Sequence, residues 1–121
     1  MDKANPFTGF LESEKEDCLS KANGLAKDNR QDEADMQKIR ANVFGIFATL
    51  SRTAEERFPD SQAQFLREQI EKISRAWEES LSAAESRGDP INAMKERVKL
   101  DAIAEIGAYY AHTVEGTSHG K

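Results

Sequence analysis

The residues with chemical potential in this 121-residue chain are few: one cysteine, Cys18, two histidines, His112 and His119, and scattered carboxylates. A nucleophilic cysteine needs a base in reach and a group that holds developing charge. No histidine lies near Cys18 in sequence, and Cys18 falls on an apolar stripe, so it reads as a buried structural thiol. His112 has Glu105 seven residues before it and Glu115 three after. Carboxylate-bridged metal bundles carry Glu-x-x-His on two of their helices, and this chain has no Glu-x-x-His. It also has no cysteine pair, no Gly-x-Ser-x-Gly and no phosphate-cradling glycine loop. The expectation is therefore a non-enzymatic protein with no catalytic residue, metal site or cofactor. His112 is expected at the surface or at an interface.

The aromatic residues read first as packing groups. Trp77 falls on a clean helical stripe, and Phe44 and Phe47 lie in the most apolar stretch. Tyr109 and Tyr110 point about 100° apart on a helix, so burying both requires two covering surfaces. A pocket near Trp77, Tyr109 and His112 is the small-molecule alternative to a purely structural role.

These groups must be carried by helices, because the hydrophobic period is helical throughout. The stretch 39–50, IRANVFGIFATL, is the organising one. Met36, Ile39, Val43, Ile46 and Leu50 share one face at three-four spacing, and Phe47 widens it. Ala41, Phe44 and Ala48 form a second face with Gly45 beside it. A helix apolar nearly all round has to be covered nearly all round.

Four helices are predicted, at about 7–27, 32–58, 61–87 and 90–114, with 115–121 as a flexible tail. Asn5-Pro6 caps the first, and acidic residues open the second, which Pro59 ends. Ser61 with Gln64 fits a capping box for the third. Its stripe of Ala63, Leu66, Ile70, Ile73, Trp77, Leu81 and Ala84 is narrow, with ion pairs Glu68–Lys72 and Glu71–Arg75 outside it. Gly88-Asp89-Pro90 supplies a helix stop, an N-cap and a first-turn proline in succession. On the fourth helix Ile91, Met94, Val98, Ala102, Ile106 and Tyr109 share one face, and Leu100, Ile103, Gly107, Tyr110 and Val114 a second. Short connections then predict an all-α, antiparallel up-down bundle of four helices, one domain over 1–121.

Composition limits the partners. The net charge is −5, and residues 1–36 carry −4 of it, so the acidity belongs to the first helix and the approach to the second. That balance argues against nucleic acid, which requires a basic stripe. No segment has the length of a signal peptide or a membrane span. With a single cysteine, a cytoplasmic location is expected.

The stretch DEADMQKIRANVFGIFATL, 32–50, resembles small uncharacterised bacterial helical-bundle proteins with an acidic lead-in followed by N-x-[FY]-x-I-[FC], here Asn42 to Phe47. The resemblance implies a helical domain of unknown function and no catalytic residue.

Helices 2 and 4 hold more apolar surface than one stripe each, and the thin stripe of helix 1 is not expected to cover it. A homodimer is the expected outcome, through Ala41, Phe44, Gly45, Ala48, Leu100, Ile103, Gly107, Tyr110 and Val114. The small residues around Gly45 and Gly107 would let backbones approach closely. The alternative partner is an amphipathic helix of another protein, with this chain as adaptor or regulator.

Overall fold

The computed structural model describes residues 5–112. They form four helices, α1 (Pro6–Lys27), α2 (Gln31–Arg57), α3 (Gln62–Ser86) and α4 (Pro90–Tyr110), and no strand occurs among the described residues. The architecture is an all-α four-helix bundle. Tail residues 115–121 and the expected fourth-helix end at Val114 lie outside the described residues.

The helix ends follow from local chemistry. Asn5 Oδ1 accepts from the amides of Phe7 at 2.9 Å and Thr8 at 3.3 Å, and Pro6 opens α1, where no amide hydrogen is needed. Asp32 and Glu33 lie in the first turn of α2, at the positive end of its dipole. Gly88 has φ 69°, the left-handed region that glycine enters without a Cβ clash. Asp89 then accepts from the Asn92 amide at 3.2 Å. The capping box at Ser61 does not form: Ser61 makes no side-chain cap bond, and Gln64 instead donates to Glu68 at 3.1 Å.

Helix α2 is the hub. It touches α1, α3 and α4, and its contact with α1 is the most extensive in the molecule, followed by the α3–α4 pair. Thr8 meets Ser51, Glu12 meets Arg52 and Lys15 lies over Gly45, so α1 and α2 run antiparallel. On the α1 side of α2, Ala34, Ala41, Phe44, Ala48 and Ser51 are all buried. On the opposite side Val43 and Phe47 are buried, while Met36, Ile39, Ile46 and Leu50 are half-buried. The α1 face supplies Phe7, Thr8, Leu11, Cys18 and Ala22, all buried. An aromatic cluster closes one end of the bundle. Phe10 stacks on Tyr109 with ring centroids 3.7 Å apart, Phe7 meets the edge of Tyr110 at 4.9 Å, and Phe10 stands edge-on to Phe44 at 6.2 Å.

Helix α3 is the edge of the bundle. Of its stripe only Leu66 and Ala84 are buried; Ile70, Ile73, Trp77 and Leu81 are half-covered. The Glu71–Arg75 pair forms at 3.6 Å on its outer face.

The two caps give a direct comparison. Asn5→Ala should cost about 1 kcal/mol, whereas Ser61→Ala should cost less than about 0.5 kcal/mol, because its hydroxyl holds no amide. Urea unfolding of each variant measures both. Asp89 adds a pH arm. Its side-chain and backbone bonds from Asn92, then Arg87, hold its carboxyl below the ordinary aspartate range. Its stabilising effect is present above the unfolded aspartate pKa and is lost as pH falls through the lower folded value. Asp89→Asn should cap α4 with no such acid limb.

Candidate functional site

The polar groups buried in the bundle join helices. Thr8 and Ser51, 8% and 0% exposed, place their hydroxyl oxygens 2.7 Å apart across α1 and α2. Thr8 Oγ1 also donates to Glu55 Oε2 at 3.3 Å, and Asn5 Nδ2 donates to the same oxygen. Each member of the set therefore has a partner, as burial requires. Arg40 of α2 reaches α4 with a two-pronged grip on Glu105, at 2.9 and 3.1 Å. Its guanidinium also lies 5.5 Å from the Phe44 ring centre. The Glu105 bonds hold Arg40 charged above the ordinary arginine range. Cys18 is buried on the face of α1 that packs in the core.

The expected interface residues lie largely inside the protomer. Ala41, Phe44, Ala48, Ile103 and Tyr110 are each no more than 3% exposed, so in this packing they have no surface to offer a second copy. Leu100, Gly45 and Gly107 are half-buried, and Val114 lies outside the described residues. The physical reason is α1, which covers the second face of α2 that was expected to remain open. Nor do the glycines mark close backbone approach. A Cβ at Gly45 would meet only the Lys15 side chain at 3.5 Å, and one at Gly107 only Ile70 Cγ2 at 3.8 Å.

The residues of the small-molecule alternative do not come together. Trp77 lies under the Lys99 ammonium, 5.1 Å from its ring centre, while Tyr109 stacks in the aromatic cluster. Lys99 and Tyr109 are separated by about 15 Å of helical rise. His112 is exposed. Among the described residues, no group of three or more His, Cys, Asp and Glu side chains gathers as a metal would need.

Among the described residues four large apolar side chains are exposed, Leu19, Phe58, Ile91 and Met94, and the last two fall together at the start of α4. Ile91 is 63% exposed and Met94 40%, one turn apart, and Val98 behind them is half-buried. Ala93 faces inward instead, at 3% exposure. On the side of Ile91 away from Met94 lies a cleft of about 350 Å³ between α2 and α4. Lys38, Ile39 and Asn42 line it from α2, and Asn92, Lys95, Glu96 and Lys99 from α4. Glu96 Oε1 lies 3.0 Å from Lys99 Nζ, which leaves Lys38 and Lys95 as the outer charges of the cleft. The sequence pattern placed Ile91 and Met94 on a buried stripe. Their position in the first turns of α4, before that helix reaches the aromatic cluster, is the reason they escape cover.

The buried hydroxyl pair is open to a double-mutant test. Thr8→Val should cost about 1–3 kcal/mol, since it leaves the buried Ser51 hydroxyl unmatched, and Ser51→Ala should cost less, since Thr8 keeps its bond to Glu55. The double variant should cost less than the two together by about 0.5 kcal/mol or more, because the orphan is removed. Denaturant midpoints of the four proteins give the coupling.

Comparison of the chain with protein-family models, with curated proteins and with solved structures finds no match in any of the three.

Proposed function

We propose that the protein works by binding another polypeptide and not by catalysis, and that the first turns of α4 are its contact surface. The observation that carries this reading is the exposure of Ile91 and Met94, 63% and 40%, side by side on one helix. Large apolar side chains in neighbouring positions on a surface mark contact sites more often than single ones do. The use of the polar groups supports the same reading. Thr8, Ser51, Glu55, Arg40 and Glu105 are engaged in joining helices. Ala41, Phe44, Ala48, Ile103 and Tyr110 are covered from within the protomer and do not support self-association through those side chains.

A photo-reactive amino acid at position 91 tests the proposal in cells that naturally make the protein. Position 79, exposed on α3, is the control. Illumination should give a protein adduct of defined mass from position 91 and none from position 79. Equal adducts from both positions, or none from either, would overturn the assignment of this surface.

A further inference from the structure

The occupant of the α4 surface can be specified further from its charge and shape; this inference rests on the binding reading above. We infer that the surface takes an acidic amphipathic helix of another protein, its apolar stripe on Ile91 and Met94 and its carboxylates over Lys38 and Lys95.

The shape argument starts from the helical wheel. At about 100° per residue, Ile91 lies about 40° from Lys95 around α4, and Met94 about 60° to the other side of Ile91. Apolar surface and cation are thus adjacent on one ridge. The cleft beside that ridge is bounded by two helices, α2 and α4, with Ile39 among its lining residues. Met94, Ile91 and Lys95 follow one another around α4 with the cleft beyond Lys95, so a further helix laid along Met94 and Ile91 has one polar edge over the lysines.

The charge argument selects the sign. Three lysines line the cleft, Lys38, Lys95 and Lys99, against one carboxylate, Glu96. Glu96 is matched by Lys99 at 3.0 Å, and both are largely covered, at 16% and 26% side-chain exposure. Lys38 and Lys95 are exposed. The local balance is therefore positive on a chain whose net charge is −5. A basic spot on an acidic protein attracts an acidic partner and orients it on approach. The same charges disfavour a second copy. A two-fold contact sets the same patch on both sides, so it would bring two sets of the Lys38 and Lys95 charges into one interface.

The test uses the full chain and three synthetic helical peptides of one design. Each has the same leucine stripe, flanked by Glu, Gln or Lys, and binding is read by fluorescence anisotropy. The Glu peptide should bind about ten-fold or more tighter than the Gln peptide at low salt, and the difference should shrink as salt is raised. The Lys38→Glu plus Lys95→Glu variant should lose that preference and turn it toward the Lys peptide. The Ile91→Glu plus Met94→Glu variant should lose binding to all three. Circular dichroism checks that each variant keeps its helicity.

Equal binding of Glu and Gln peptides, or an unchanged preference after charge reversal, overturns the inference. So does binding to none of the three, or retention by anionic vesicles or duplex DNA in place of the Glu peptide. The two proposals fail separately. An adduct from position 91 without a charge preference leaves the binding surface in place and removes only the acidic helix. Absence of that adduct removes the surface itself.

Discussion

The structure depends on covering α2 from both sides. A helix with apolar residues on two faces cannot be left with either in water, and a single neighbour covers only one stripe. The α1 contact resolves this. Along α2 the residues Ala34, Gln37, Ala41, Phe44, Ala48 and Ser51 recur at three-four spacing, and along α1 so do Thr8, Leu11, Lys15, Cys18, Ala22 and Leu25. Two such seams facing each other make an antiparallel pair with coiled-coil spacing. Three of the α2 positions are alanine, so α1 can lie close and bury them with few large side chains of its own. Phe7 and Phe10 supply bulk at one end, where they meet Tyr109, Tyr110 and Phe44.

Helix positions were legible from the sequence because their signals are local. Pro6, Pro59 and the Gly88-Asp89-Pro90 run act within one or two residues, and the backbone follows them. The partner of each face was not legible, because facing requires knowledge of what is opposite. The α1 stripe is thin in large side chains. Closeness of packing matters more there than side-chain size, and the alanines of α2 were the signal for it. The hydroxyl pair was also missed. Thr8 is three residues from Leu11 and Ser51 three from Ala48, each on its helix's buried face, so two lone polar residues in apolar seams were the available clue.

Helices α3 and α4 show the opposite case. Helix α3 has the cleanest amphipathic stripe, yet most of it is only half-covered. Amphipathicity records which face can be buried, and the number of neighbours decides how much of it is. At the edge of the bundle α3 is flanked mainly by α4, with a small contact to α2. On α4 the sequence puts the expected surplus on the face of Leu100, Ile103 and Tyr110. The face that stays open is the other one, and only at its start.

That placement separates folding from binding. The aromatic cluster and the Arg40–Glu105 grip fasten the later part of α4 to α1 and α2. In its first turns, Ala93 is buried while Ile91 and Met94 point away from the core. A side chain 63% exposed has little burial to lose, so changing Ile91 alters the surface far more than the fold. Phe44, fully buried between α1 and α2, has the reverse property, and a charge placed there would act on folding before it reached any interface. A loss of association after a change at Phe44 would therefore carry no information about a contact surface. The same loss after a change at Ile91 or Met94, with helicity intact, would.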